Sequence, residues 1–143
     1  MHISRHINAP ADVVFDAISD PDTFAQVVPE IDRIEYVTEK RREVGARFRE
    51  TRTMRGRQAT AELEIADFVP GQRIRLTSEA GGSLWDSTFT VEPEGDGAST
   101  LTLDMQVTPR RLAARLTNPL IMGMIRKAIE KDMNAIKSWC ERG

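Results

Sequence analysis

The stretch Asn118-Pro-Leu-Ile-Met-Gly-Met-Ile-Arg-Lys-Ala-Ile-Glu-Lys-Asp-Met-Asn-Ala-Ile-Lys-Ser-Trp-Cys-Glu-Arg142 decides the fold. Asn accepts well from backbone N–H groups at a helix N-cap, and Pro is pre-shaped for the first helical position, so Asn118-Pro119 signals a helix start. A helix from there to Arg142 is roughly 36 Å long. Wound at about 100° per residue, Ile121, Met122, Ile125, Ala128, Ile129, Met133, Ile136, Trp139 and Cys140 fall on one stripe. Lys127, Glu130, Lys131, Asn134, Lys137 and Glu141 fall opposite, and Asp132 interrupts the apolar stripe near its middle. Such a helix must bury its stripe against the apolar face of a sheet.

The middle of the chain supplies that sheet. Arg55-Gly56 reads as a tight hairpin turn, which pairs Phe48 with Leu63, Glu50 with Ala61 and Arg52 with Ala59. On the other face Arg47 meets Glu64 and Arg49 meets Glu62. The next turn, Pro70-Gly71, pairs Ile65 with Leu76 and Leu63 with Ser78, and sets Arg75 diagonal to Glu64. Both turns make the same face outer, an Arg–Glu–Arg ladder in water that fixes register more than stability. Residues 83–92 and 99–108 continue the meander around Pro93-Glu-Gly-Asp-Gly. Trp85, Ser87, Phe89 and Val91 share a face, as do Leu101, Leu103, Met105 and Val107.

Ahead of the meander, residues 2–8 form a strand with Ile3 and Ile7 on one face. Asn8-Ala-Pro-Ala-Asp opens a short helix edged by Val14, Phe15 and Ile18. Ser19-Asp20-Pro21 caps a second, with Phe24, Val27 and Val28 inward. Residues 31–38 form a strand whose apolar positions Ile31, Ile34, Tyr36 and Val37 keep no strict alternation, so its facing stays open. After the last strand, residues 110–116 read as a short helical approach to the Asn118 cap. The fold class is α+β: about seven antiparallel strands, two short helices after the first strand, and a long C-terminal helix. A strongly twisted sheet of this size curls around the helix, leaving room for a cavity between them.

The totals describe one domain over 1–143, large enough to bury a core without metals or disulfides. A net charge of −2 with 29% charged residues provides no electrostatic footprint for nucleic acid. The single cysteine, Cys140, suits a reducing compartment. With no apolar signal core and no run near the ~18 residues of a membrane span, the chain reads as cytoplasmic. The oligomeric state is open, a dimer included.

The sequence resembles the helix-grip superfamily of START-like and birch-pollen-allergen-like (SRPBCC) domains, and is most similar to its polyketide cyclase/dehydrase branch. The resemblance covers nearly the whole chain. It is carried by Ile7-Asn-Ala-Pro-Ala-Asp-Val-Val-Phe, Ile18-Ser-Asp-Pro, Gly45-Ala-Arg-Phe-Arg, Phe68-Val-Pro-Gly-Gln-Arg-Ile and Asp132-Met-Asn-Ala-Ile-Lys. It implies a sheet gripping the long helix around a hydrophobic cavity for lipids, polyketides, quinones or similar molecules. These motifs form turns, helix starts and packing, and so specify fold rather than chemistry. Some relatives carry a Gly-rich loop between the second and third strands; here it holds only Gly45 beside Lys40, Arg41 and Arg42, and no phosphate role is carried over.

The polar exceptions on the inner face are Glu50, Arg52, Ser78, Ser87 and Asp67, and the helix adds Asp132. A charge on an apolar face must be paired, reach solvent, or shift its pKa. Two readings stand. Either Glu50, Arg52 and Asp132 form a polar spot that orients a ligand in an apolar cavity, or they are a structural ion pair or sit in water at the cavity mouth. The expected ligand wall comprises Phe48, Glu50, Arg52, Met54, Leu63 and Leu76, with Trp85, Ser87, Phe89 and Met105 from later strands. Met122, Ile125 and Ile129 complete it from the helix. The methionines and aromatic rings serve equally as ordinary core, and Trp139 reads as structural.

No metal or other cofactor is expected. His2 and His6 lie about 13 Å apart on a strand and cannot share an ion. Cys140 reads as a small buried hydrophobe. The cluster Arg110, Arg111 and Arg115 reads as a solvated face. No P-loop, dinucleotide fingerprint, nucleophile elbow or zinc-protease motif is present. The leading functional reading is a binding or carrier protein for a small hydrophobic molecule. The second is a cyclase, aromatase or dehydratase acting on a polyketide-like substrate. There Glu50 or Asp132 would be the acid or base, and Arg52 would polarise a carbonyl. The third is a protein-interaction module.

Overall fold

A computed structural model describes residues 1–110 and 119–143. The elements run β1 (His2–Ile7), α1 (Ala11–Ser19), α2 (Pro21–Val27), β2 (Ile31–Tyr36), β3 (Arg47–Met54), β4 (Arg57–Val69), β5 (Arg73–Ala80), β6 (Ser83–Pro93), β7 (Ser99–Pro109) and α3 (Pro119–Arg142). The strands form one antiparallel sheet in the order β1-β7-β6-β5-β4-β3-β2. The Asn118 cap and the helical approach expected before it lie outside the described residues, as do Arg111 and Arg115.

Turn chemistry explains the meander. Arg55 and Gly56 have φ of 52° and 76°, the left-handed pair that a two-residue hairpin with right-twisted strands requires. The pairs Phe48–Leu63, Glu50–Ala61, Arg52–Ala59, Ile65–Leu76 and Leu63–Ser78 all form as the two turns dictate. The outer ladder is narrower than the sequence implies. Glu62 takes both Arg47 at 3.2 Å and Arg49 at 3.6 Å, while Arg75 turns away from Glu64 to hold Asp86 through two hydrogen bonds of 2.9 and 2.6 Å.

Two bulges account for the departures. In β4 the register shifts between Ile65 and Asp67, so Ala66 is the extra residue. Asp67, expected inside, therefore turns outward to Arg73 at 2.8 Å, and Phe68 turns inward to meet the ring of Phe15 edge-on at 5.5 Å. In β2 the shift between Ile31 and Arg33 inserts Asp32, which explains the broken alternation. Asp32 instead accepts from Thr53 Oγ1 at 2.5 Å and Gln58 Nε2 at 3.3 Å.

Asp20 caps α2 by accepting from Asp22 N at 3.0 Å, with Pro21 at the first helical position. The long helix is buried unevenly. Ile129, Met133, Ile136 and Cys140 join a core with Ile7, Val14, Phe15, Ile65, Ile74, Leu101 and Leu103, whereas Leu120, Ile121 and Met124 are exposed. Trp139, assigned to the stripe, lies at its rim, where it is 36% exposed and Arg142 stands over its ring. The backbone of α3 comes closest to β1, α1 and α2. Its other half stands off from the middle strands, and the candidate site occupies that gap.

Candidate ligand cavity

The space between sheet and helix has two adjoining lobes. The inner one, about 120 Å³, lies under α1 and α2: Ile18, Ser19, Pro21 and Phe24 close it on one side. Phe48, Ile65, Ile74, Leu76, Ser87, Phe89 and Leu103 form the sheet side. The outer lobe, about 340 Å³, lies between Met54, Ala59, Thr60 and Ala61 on β3–β4 and Ile125, Ala128 and Ile129 on α3. Glu50, Arg52, Leu63, Ser78, Trp85 and Asp132 line both lobes. They form a waist between the two.

The sequence dictates this waist. Glu50 and Arg52 are two residues apart on β3 and so share its inner face, while Asp132 sits at the apolar stripe of α3, one turn from Ile129 and Ile136. Arg52 Nε donates to Glu50 Oε1 at 2.5 Å. Its Nη1 donates to Asp132 Oδ2 at 2.9 Å and Oδ1 at 3.2 Å. Side-chain exposures of 11% for Glu50, 19% for Arg52 and 15% for Asp132 leave each a small face on the cavity. Burial opposes the charge on Arg52, but Glu50 and Asp132 overcome it and hold the guanidinium above its ordinary range. Asp132 ends differently. Burial pushes its carboxyl above the ordinary 3.8 despite Arg52, because Glu50 already shares that guanidinium and Glu30 stands nearby.

Of the ligand-wall residues expected from sequence, the structure brings Phe48, Glu50, Arg52, Met54, Leu63, Leu76, Trp85, Ser87, Phe89, Ile125 and Ile129 to one lobe or the other. Met105 and Met122 are not among the lining residues. Met105 lies on β7 against the core, where its carbonyl accepts from the amino terminus at 2.8 Å. Met122 is nearly one helical turn before Ile125, where α3 has begun to leave the sheet. The two short helices close one end of the space, as the element order implies, although their residues Ile18, Ser19, Pro21 and Phe24 are not among the wall residues expected from sequence. Trp85 Nε1 donates to Ala80 O at 3.0 Å, which fixes the indole at the waist.

Other candidates separate from the site. His2 pairs with Asp104 at 2.5 Å and His6 with Glu94 at 2.7 Å, both on exposed outer positions. Arg110 faces Glu79 at 3.8 Å. Cys140 is buried, and burial pushes its thiol up to about 11. No helix among the described residues is long and apolar enough to cross a membrane.

The family profile described as polyketide cyclase / dehydrase and lipid transport matches residues 1–141. The chain belongs to that family. Solved structures place its architecture among START-like proteins. A START superfamily protein from Mycobacterium smegmatis is 15% identical with a TM-score of 0.82, over 99% of this chain and 97% of that one. The di-domain ARO/CYC protein BexL, from the BE-7585A biosynthetic pathway, is 16% identical with a TM-score of 0.77 over 96% of this chain, which spans 45% of its length. Norcoclaurine synthase from Thalictrum flavum, solved with dopamine and hydroxybenzaldehyde, is 15% identical with a TM-score of 0.72, over 97% of this chain and 84% of that one. Among curated proteins none matches the sequence. The family's description spans polyketide cyclases, dehydrases and lipid transport, and the structural neighbours include an ARO/CYC protein.

Proposed function

We propose that the protein binds or carries a small hydrophobic molecule, such as a lipid, polyketide or quinone-like compound, in the cavity between its sheet and α3. One observation carries the reading: an apolar cavity interrupted at a single waist by the Glu50–Arg52–Asp132 cluster. Apolar walls supply affinity and a few convergent polar groups set orientation, the usual design of a small-molecule site. An interaction module has no need of such a space. Phe48, Leu76 and Phe89 would hold the apolar body in the inner lobe, and Met54, Ile125 and Ile129 the portion in the outer lobe. The polar cluster would meet the heteroatom between them.

Catalysis by the same cluster is the second reading. What favours it is Asp132, whose raised pKa suits a carboxyl that exchanges a proton with substrate, beside a guanidinium able to steady an enolate. Native mass spectrometry of protein purified from cells tests the first reading. A bound small molecule released unchanged on denaturation supports a carrier. Conversion of that molecule on incubation, lost in Asp132→Asn, supports an enzyme, and protein carrying nothing and taking up no apolar probe contradicts both.

A further inference from the structure

We infer that the cavity selects its ligand by charge: it takes a hydrophobic molecule whose polar end is a hydroxyl or ammonium group and disfavours one ending in a carboxylate. The inference rests on the binding reading above and specifies the ligand of that same site.

Charge at the waist is unbalanced. Two carboxylates, Glu50 and Asp132, share one guanidinium, and among the described residues no other cationic side chain lines either lobe. With all three groups ionised the cluster carries one net negative charge. Lys131, the neighbour of Asp132 in sequence, is committed elsewhere, pairing with Glu30 at 3.6 Å from an exposed position. Arg52 is equally committed: its Nε serves Glu50 and its Nη1 serves both oxygens of Asp132. Glu50 Oε2, in contrast, takes no hydrogen bond from the described residues. The charged cluster therefore offers spare acceptors on its carboxylates and a spare donor at Arg52 Nη2.

That inventory fits two kinds of polar end. A hydroxyl donates its proton to a carboxylate and can accept from Nη2 with its own oxygen. An ammonium donates to both carboxylates and cancels the net charge. A ligand carboxylate would be a third anion around one cation, among side chains only 11–19% exposed, where Coulomb repulsion is stronger than in bulk water. At a spacing of about 5 Å and an effective dielectric of about 20, this repulsion is worth more than about tenfold in affinity.

A matched probe series tests the inference on the full chain at neutral pH. Naphthalene reports on the apolar cavity alone, and 2-naphthol, 2-naphthylmethylamine and 2-naphthoate add one polar end each. Calorimetric titration should find the naphthol and the amine at least about tenfold tighter than the naphthoate. Glu50→Gln leaves the cluster neutral, so it should narrow the gap by strengthening naphthoate and weakening the amine. Asp132→Asn makes the same charge change from the helix side and serves if the first variant does not fold. Naphthoate binding as tightly as the amine, or a gap unchanged in a folded variant of either kind, overturns the charge rule while naphthalene binding leaves the cavity reading intact. Failure of all four probes, naphthalene included, overturns the cavity reading and the charge rule with it.

Discussion

Arg52 of β3 reaches Asp132 of α3 at 2.9 Å, tying sheet to helix across the gap where their backbones stand apart. The same guanidinium holds Glu50 at 2.5 Å. One cation therefore serves two partly buried anions. This three-body arrangement sets what each partner is worth.

Removing the shared cation should be far worse than removing either anion. Arg52→Met leaves two neighbouring carboxylates without a counter-charge, a loss of about 3–5 kcal/mol by analogy with broken buried pairs. Asp132→Asn leaves a one-to-one pair and should cost less than about 1 kcal/mol, the scale of a single net hydrogen bond. Urea denaturation of the two variants checks the order, and equal losses would show that the cluster does not share its cation.

Asp132 also predicts a pH dependence. Its folded pKa lies above the ordinary 3.8, so folding favours the neutral carboxyl. Its stabilising contribution is present below the unfolded value and is lost as pH rises through the folded one. Relative to Asp132→Asn, the wild-type protein should therefore lose stability as pH rises above 3.8. Denaturation midpoints of the two proteins from acid to neutral pH measure the difference. A difference that is flat, or that moves the other way, contradicts the assignment.

The two halves of α3 should respond differently to truncation. Met133 and Ile136 are completely buried, so Met133→Ala or Ile136→Ala should cost about 2–5 kcal/mol. Met124 is 54% exposed, and Met124→Ala should stay within about 0.5 kcal/mol. Thermal melts of the three variants separate the halves.

That asymmetry marks how far the sequence can be read. Periodicity places Asp132 on the stripe beside Met133 and Ile136, and two turn signals set the register that puts Glu50 and Arg52 on the inner face. Those inferences need only local geometry. Bulges leave no comparable trace, because Ala66 and Asp32 are ordinary residues for a strand. Each nevertheless reverses the facing of the residues after it, which is why sequence alone misplaces Asp67 and cannot orient β2. Where α3 parts from the sheet is likewise a tertiary property. The stripe continues through Ile121, although that side chain is exposed.

Cys140 should be inert in the native state. It is 4% exposed, and burial raises its thiol to about 11, so little thiolate forms near neutral pH. Ellman's reagent at pH 8 should react only as the protein unfolds. Stoichiometric labelling of the folded protein at the rate of an exposed thiol would contradict the burial of the helix C-terminus.

The waist borders a space open to a small hydrophobic guest, and Trp85 is placed to report on its entry. Trp139 is the only other tryptophan, so Trp139→Phe isolates the Trp85 signal. Titrating that variant with 2-naphthol while following Trp85 fluorescence measures whether the space is filled. A saturable one-site change that disappears when the inner lobe is blocked by Ser87→Phe is the predicted result. Fluorescence indifferent to naphthol up to its solubility limit would contradict a ligand cavity at the waist.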